Sequence, residues 1–445
     1  MRMLKPCFLS VAVSTLFSCW AAGNENVEKI YQATGVQGGL VVHLQCGDGT
    51  LTAALGTGDS YLVQGLDTDK KNVDAARKHI QSRGLYGKVS AIHLSDVALP
   101  YNNNLVNLIV GIKPATISDR EIMRVLAPNG VAYLKEGSGW KLQKKEVPAE
   151  SDDWTHYLHG PDNNAVSKDT IVSHPYHIQW AGLPIWTRNH NHLNGYSALV
   201  SANGRIFYIL DDGPLQSVRY PPRWTLVARD AYNGVVLWKK TIDRWEGHLR
   251  RFRSGPTELP RRLVAVGDRA YVTLGYGRPL SIIDAATGRL IREVPGTEGT
   301  HEIICSGKQL YLVAGEMDEG AYRETLTTGA ASPFIHPKRI IAVNAETGST
   351  LWTKADEDTR EMLPTTLCVD ASGLCFHSPQ QLIRLDRDNG KIKWKTDRLL
   401  EKNRLAWGAP TLVLYQDLVS SVCRCRRWSE SSFCIIRGTV QASLE

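Results

Sequence analysis

The chain has 445 residues, enough for about three ordinary domains. Hydrophobic residues make up 42% and charged residues 22%, with 12 Trp and 16 Tyr, so burial can offset the entropy of ordering and an intrinsically disordered chain is excluded. The balance of 52 Lys+Arg against 45 Asp+Glu, a net +7, is too dilute over this length to imply nucleic acid, and none is expected as a partner. The nine Cys are scattered without a Cys-x-x-Cys pair, which encodes neither a zinc ribbon nor a c-type haem site.

The first 23 residues read as a secretory signal peptide. Arg2 and Lys5 precede an apolar run from Cys7 to Phe17, followed by small Ala21, Ala22 and Gly23 ahead of polar Asn24 and Glu25. That run is well short of the ~20 residues needed to cross a bilayer. No later segment is apolar enough, so the mature chain is expected to be exported, periplasmic or extracellular, without a transmembrane segment. Leu16-Phe17-Ser18-Cys19 offers a lipoprotein alternative at Cys19, for which Phe17 is a poor fit.

Residues 24–145 alternate strand with helix. Strands are expected over Gly39–Leu44, Tyr61–Leu66, Val89–Leu94, Val106–Ile112 and Gly130–Leu134. Helices are expected from Leu51 to Leu55, from Lys70 to Ser82 with Val73, Ala76 and Ile80 on one face, and from Ser118 to Leu126. Such alternation builds a parallel sheet covered by helices.

Three features of this region suggest a nucleotide-type site. Val41-Val-His-Leu-Gln-Cys-Gly47-Asp48-Gly49 is a strand entering a glycine turn and then a helix, which lets backbone approach a ligand and offers free N–H groups. Asp67 follows at the end of the next strand, placed to accept hydrogen bonds from ribose hydroxyls. Asp96 follows the third strand, in Ile92-His-Leu-Ser-Asp96-Val-Ala-Leu-Pro100. Together with Glu121-Ile-Met-Arg-Val-Leu-Ala-Pro-Asn-Gly130, these motifs make residues 26–135 resemble class I S-adenosylmethionine-dependent methyltransferases. The resemblance implies a Rossmann-like sheet in which Gly47, Asp48 and Gly49 line the cofactor's methionine part, Asp67 binds its ribose and Asp96 contacts its adenine. It names no catalytic residue. His43 and Asn107 stand where that family usually has acidic residues, and Gln45 stands at its first glycine, where a side chain is expected to crowd the turn.

Residues 146–196 form a joint holding His156, His159, His174, His177, His190 and His192. Their spacing is compatible with a metal, but satisfied loop histidines are the reading adopted here, and no metal is expected.

From Ser197 the texture changes to short strands and glycine turns. Asp230-Ala-Tyr-Asn-Gly234 leads to Trp238, Asn344-Ala-Glu-Thr-Gly348 to Trp352 and Asp386-Arg-Asp-Asn-Gly390 to Trp394, while Asp284-Ala-Ala-Thr-Gly288 leads to Arg292. A further strand precedes each turn: Arg205–Leu210, Arg269–Leu274, Gln309–Ala314 and Leu374–His377. Residues 151–418 thereby resemble the pyrroloquinoline-quinone-type repeat propellers, with Ser151–Ala165 similar to the lead-in that often precedes the first blade. The expectation is about four blades over 197–418, with the repeat Trp packed between neighbouring blades as architecture. The quinone itself is not expected, because the resemblance to its dehydrogenases would call for adjacent cysteines and a calcium cluster. Arg219, Arg223, Arg244, Arg250, Arg251, Arg253, Arg261 and Arg262, interleaved with Trp224, Trp245 and Phe252, are read as solvated arginines stacked on aromatics, with a groove for an anionic polymer as the alternative.

Residues 419–445 show no alternation and are expected to be an irregular, out-of-frame tail replacing further blades. The function these features imply is S-adenosylmethionine-dependent methyl transfer by an exported protein to an unknown small-molecule acceptor or envelope protein, with the propeller for binding. A non-catalytic envelope scaffold with a relic α/β domain is the alternative, and a quinoprotein dehydrogenase the third.

Overall fold

The computed structural model describes residues 26–174, 177–184, 195–216, 220, 222–243, 245, 259–315, 337–397, 410–416, 418–424 and 431–437. The expected signal peptide and Cys19 lie outside the described residues, as do His190 and His192. The chain divides into two compact units. One comprises Met1–Ala149, His174–Gly182 and Arg229–Trp238, and the other Glu150–Ser173, Leu183–Ala228 and Lys239–Glu445.

In the first unit, helix α1 covers residues 26–34 and is followed by β1 (Gly39–Leu44), α2 (Thr50–Leu55), β2 (Tyr61–Asp67), α3 (Lys70–Ser82), β3 (Val89–His93), β4 (Val106–Gly111), α4 (Asp119–Val125), β5 (Leu126–Glu136) and β6 (Gly139–Lys144). The sheet order is β3-β2-β1-β4-β5-β6, with β1 to β5 parallel and β6 antiparallel to β5. Burial on both faces explains why β1 reads as an unbroken apolar run. Val41, Val63, Val73, Ala76 and Ile80 pack on one side of the sheet, while Leu40, Val42, Leu44, Ile109 and Ile122 pack on the other. Asp69 caps α3 by accepting from Lys71 N at 2.9 Å, and Ser118 caps α4 by accepting from Glu121 N at 3.1 Å. Strand β5 begins earlier than the expected Gly130, with a register break opposite β4 and Asn129 at φ 66° accommodating it. Strand β6 is absent from the expected elements: every one of its residues is exposed, and its apolar alternation is confined to Trp140 and Leu142. Trp140 on β6 stacks on Tyr133 with ring centroids 4.8 Å apart.

The remaining strands form antiparallel sheets. Four have four strands each: β7 (Tyr196–Ala202), β8 (Arg205–Asp211), β9 (Trp224–Asp230) and β10 (Val236–Thr241); β11 (Leu263–Val266), β12 (Arg269–Thr273), β13 (Leu280–Asp284) and β14 (Leu290–Val294); β15 (Thr300–Ser306), β16 (Gln309–Gly315), β17 (Lys338–Asn344) and β18 (Thr350–Lys354); β19 (Cys368–Val369), β20 (Leu374–His377), β21 (Gln381–Leu385) and β22 (Ile392–Asp397). A fifth has three: β23 (Thr411–Tyr415), β24 (Leu418–Arg424) and β25 (Ser431–Arg437). The repeat turn joins the third and fourth strands of each four-stranded sheet. Its first residue accepts backbone N–H groups on its side chain, as in Asp284 Oδ1 from Thr287 N and Asn344 Oδ1 from Thr347 N, both 2.9 Å. The glycine adopts the left-handed conformation, with φ of 72°, 71°, 73° and 70° at Gly234, Gly288, Gly348 and Gly390.

Packing of the repeat goes beyond its hairpin. A Cβ at Gly390 would lie 2.7 Å from Cε3 of Trp352, and Trp352 Nε1 donates to Arg387 O at 3.0 Å. The tryptophan of one sheet thus seats on the turn of the next. Arg292, the exception, fills the same place on Gly348, where a Cβ would lie 2.5 Å from its Cδ. In the first unit Trp180 seats on Gly234 and donates to Ala231 O at 2.9 Å, matching the Trp352 arrangement residue for residue.

The lead-in laces the first strands of all five sheets. An edge strand presents unpaired N–H and C=O groups, and here the segment Trp154–Asn163 meets them. Ser201 N on β7 donates to Trp154 O at 2.7 Å, Ala265 N on β11 to Thr155 O at 3.0 Å, and Cys305 N on β15 to His156 Nε2 at 3.0 Å. Val369 N on β19 then donates to Pro161 O at 2.7 Å and Leu414 N on β23 to Asp162 O at 2.9 Å. Buried Asn163 adds Nδ2 donations to Leu367 O at 2.9 Å and Leu412 O at 3.1 Å.

Part of the stretch expected to be irregular is strand among the described residues. Residues 418–424 and 431–437 are paired strands, with Leu418 opposite Arg437 and Arg424 opposite Ser431.

Candidate functional site

The candidate site lies at the C-terminal ends of the parallel strands, beside the β1/β4 switch point where open α/β sheets bind ligands. The chain leaves β1 through Gln45, Cys46, Gly47, Asp48 and Gly49, with φ of 54° at Gln45, 56° at Gly47 and 82° at Gly49. Left-handed backbone is free for glycine but costs a side-chain-bearing residue such as Gln45 roughly 1–2 kcal/mol. Its side chain turns to the neighbouring loop, where Nε2 donates to Thr68 Oγ1 at 3.3 Å.

The other expected site residues divide by role. Asp67 ends β2 with 1% of its surface exposed. Its Oδ2 accepts from Gly47 N at 2.9 Å, and its Oδ1 accepts from Asp69 N at 2.9 Å and Asn72 Nδ2 at 3.2 Å. The structure therefore brings Gly47 and Asp67 together directly. A Cβ at Gly47 would meet nothing within 4 Å, so that side of the loop is open. Gly49 instead faces α3, where a Cβ would lie 2.7 Å from Cα and Cβ of Ala76, and its glycine serves helix packing. Exposed Asp48 accepts from Thr50 N at 2.9 Å in the first turn of α2. Asp96 is exposed, two residues beyond Leu94, whose N–H bonds Asp67 O at 2.8 Å.

Two departures from the family pattern acquire physical reasons. His43 is buried against α2, with Nδ1 2.8 Å from Thr52 Oγ1, and burial pushes its imidazole down to about 4 against the opposing pull of Asp67. It is a neutral core residue at neutral pH. Asn107 sits at the other ends of the strands, where its Oδ1 accepts from Leu40 N at 2.8 Å and Asn233 Nδ2 at 2.7 Å and its Nδ2 donates to Asp230 Oδ2 at 2.6 Å. Residues 230 and 233 belong to the same unit. Gly111, which the sequence reading passed over, holds φ 119° at the end of β4, where a Cβ would collide with Leu44 O. Its position closing the strand beside β1 was the available signal.

The joint and the arginines fall elsewhere. His156 and His159 are buried and bonded, His159 Nε2 to Asp152 Oδ2 at 2.7 Å. Among the described residues no group of three or more His, Cys, Asp or Glu could hold a metal ion. Arg261 and Arg262 are buried, so the expected solvated arginines are not found there: Arg261 pairs with Glu302 at 3.1 Å and lies over the Tyr157 ring at 5.3 Å. Trp224 and Trp245 are buried too, edge-to-face at 5.5 Å, and Arg223 bonds Asp212 O. Arg219, Arg244, Arg250, Arg251, Phe252 and Arg253 lie outside the described residues.

Residues 334–419 match the family described as outer membrane protein assembly factor BamB, of the PQQ repeat type. A curated demethylmenaquinone methyltransferase from Lactobacillus johnsonii is 29% identical over 157 residues, 30% of this chain. The chain spans 64% of that relative's length. The N-terminal unit is methyltransferase-like, and the C-terminal region carries the PQQ-type repeat. Solved structures similar to the first region include an S-adenosyl-L-methionine-dependent methyltransferase from Methanococcus maripaludis, 22% identical with a TM-score of 0.25, covering 31% of this chain and 68% of that one. The YcgJ protein of Bacillus subtilis is 21% identical with a TM-score of 0.22, covering 25% and 49%.

The residues present suit the nucleoside part of S-adenosylmethionine. Oδ2 of Asp67 keeps capacity beyond its one backbone donor, and the methyltransferase-like loop is open at Gly47.

Proposed function

We propose that the methyltransferase-like unit binds S-adenosylmethionine through Gly47, Asp48, Asp67 and Asp96 and serves methyl transfer to an acceptor, in a chain exported to the cell envelope whose repeat region is a binding scaffold. The observation that carries this reading is the 2.9 Å bond from Gly47 N to Asp67, which sets a carboxylate beside an open glycine turn at the sheet's switch point. When bound, the cofactor would supply an electrophilic methyl group on a sulfonium. The chain's part is to hold and orient: Asp67 takes a ribose hydroxyl, exposed Asp96 faces the base, and Asp48 lies near the methionine end. Methyl transfer depends chiefly on aligning donor and acceptor, so binding geometry is the main contribution required.

The envelope setting is supported by the signal-like N-terminus and by the likeness of residues 334–419 to an outer-membrane assembly family. Among the described residues no helix is long and apolar enough to cross a membrane.

Calorimetric titration of the full chain with S-adenosylmethionine and S-adenosylhomocysteine tests the reading. Binding that Asp67→Asn weakens by an order of magnitude, without loss of fold, is the expected result. The near-complete burial of Asp67 favours a second reading, a scaffold with a relic α/β unit. Absence of heat at millimolar ligand, with a cooperative unfolding transition intact, is the outcome that reading requires.

A further inference from the structure

Strands β19 and β20 form a hairpin whose two cysteines stand opposite each other. Cys368 pairs with Cys375 and Val369 with Leu374, and Asp370 N donates to Gly373 O at 3.0 Å across the turn. Val369 N points away from β20, donating to Pro161 O at 2.7 Å, so Cys368 and Cys375 occupy a hydrogen-bonded position of the ladder. The Cα atoms of such a pair lie about 5.5 Å apart, inside the ~4.4–6.8 Å that a disulfide spans. Both are free, fully buried thiols in one core cluster with Leu412 and Leu414. Cys368 Sγ donates to Cys375 O at 3.7 Å, so the first thiol already reaches over the partner strand. The row continues into β21, where Arg384 stands opposite Cys375. Arg384 Nη1 donates to Cys375 Sγ at 3.4 Å, while its Nη2 holds both oxygens of Asp370 at 2.6 and 2.8 Å. One guanidinium thus ties the hairpin's turn to the sulfur on its second strand.

We propose that Cys368 and Cys375 are joined by a cross-strand disulfide in the exported chain, formed during folding while the hairpin is still open. This goes beyond methyl transfer and draws only on the envelope setting, which is oxidising. The oxidant is a second disulfide, that of glutathione or of a thiol–disulfide exchange protein. One cysteine attacks it as thiolate and expels a thiol, and the other then attacks the mixed disulfide and expels the second thiol. The pair gives up two electrons and two protons, and the oxidant takes them up as two thiols. Burial sets the order of events. It pushes the Cys375 thiol up to about 12 and the Cys368 thiol well above its usual range, against the pull of Arg384. Neither is a thiolate at neutral pH once the sheet has closed, so exchange belongs to the open hairpin and the finished bond is shielded from reductant. The bond pins β19 where the lead-in attaches, through Val369 N and through Asn163 Nδ2 to Leu367 O at 2.9 Å.

The test is refolding of the full chain from reducing urea into reduced and oxidised glutathione, followed by alkylation and tryptic mass mapping. Residues 361–384 contain both cysteines and no internal Lys or Arg, so the bond is read as one unalkylated peptide lacking two hydrogens. The folded chain is expected to resist dithiothreitol and to be reduced once urea opens it. Its folding equilibrium constant is expected to exceed that of the reduced chain by roughly ten- to a hundredfold, a gain that Cys368→Ala abolishes. A peptide alkylated at both positions, capped by glutathione, or linked to Cys423 or Cys434 overturns the pairing. Ready reduction of the folded chain overturns the shielded bond. N-terminal sequencing of the secreted chain reads export separately, so a failure of the setting and a failure of the pair are told apart.

Discussion

Both regions of this chain are built on left-handed glycine turns, yet the turns end in opposite states. In the repeat region the turn is filled by the chain itself, with Trp352 against Gly390, Arg292 against Gly348 and, in the first unit, Trp180 against Gly234. At the end of β1 the open side of Gly47 meets nothing within 4 Å. A glycine that admits a neighbouring side chain is architecture; open space alone marks no site, since Gly267 and Gly307 in the repeat region also meet nothing within 4 Å, and what sets Gly47 apart is the Asp67 carboxylate 2.9 Å from its N–H. The sequence patterns of the two are nearly alike, and only the surroundings tell them apart.

Substitution within the β1–α2 loop tests this contrast most harshly. Gly49→Val drives a branched side chain into Ala76 from a left-handed backbone, and overpacking plus conformational strain should together cost about 3 kcal/mol or more. Gly47→Ala, two residues earlier, meets no atom and should cost only about 1 kcal/mol. Urea unfolding of the two variants measures the difference. Equal losses would show that Gly47 is packed and not open.

His43 separates core from site by pH. Its imidazole titrates at about 4 when folded against an ordinary 6.5, so the folded state binds its proton later than the unfolded state does. The stability this contributes is fully present above about 6.5 and is lost as the pH falls toward 4, a change of about 3 kcal/mol for a group so deeply buried. Unfolding free energies between pH 7 and 4 should fall for the parent chain and flatten with His43→Gln. An unchanged slope would place His43 in solvent, where a site residue could be.

The lead-in is tested by Asn163→Ala, which leaves the carbonyls of Leu367 and Leu412 without their buried donor and should cost about 1–3 kcal/mol. Thermal unfolding monitored by tryptophan fluorescence reads it. A neutral substitution would mean that the Asn163 amide adds nothing to the remaining bonds between the lead-in and the five sheets.

The sequence shows most clearly those features enforced by local chemistry. The Asp/Asn-x-x-x-Gly turns declare themselves because the first side chain and the left-handed glycine act within five residues, and β1 because burial on both faces leaves a largely apolar run. Gly47 and Asp67 were legible as a pair through strand order, and the structure joins them. What stayed hidden depends on residues far apart: Gly49 belongs to Ala76, Asn107 to Asp230 and Asn233, and Arg261 to Glu302. No spacing rule links such partners. Exposed β6 was hidden for another reason, since its alternation, Trp140 and Leu142 between Lys141 and Gln143, is only two apolar residues long.

The smallest expected effect bears on the filled turns. Arg292 occupies the Gly348 seat with its aliphatic stem, whereas Trp352 fills the equivalent seat on Gly390 with a ring and also donates Nε1–H to Arg387 O. If the seat is generic, Arg292→Trp should gain ring contact and one hydrogen bond to the carbonyl of Ala345, the residue matching Arg387, for up to about 1 kcal/mol of added stability. The reverse change, Trp352→Phe, keeps most of the ring, loses the donor and should cost about 1 kcal/mol. Opposite shifts of similar size in chemical unfolding would establish that the Gly348 and Gly390 turns are one interchangeable device, which the open turn at Gly47 does not share. A destabilising Arg292→Trp would instead show that the Gly348 turn was built around its arginine, and that each turn is fitted to its own neighbour.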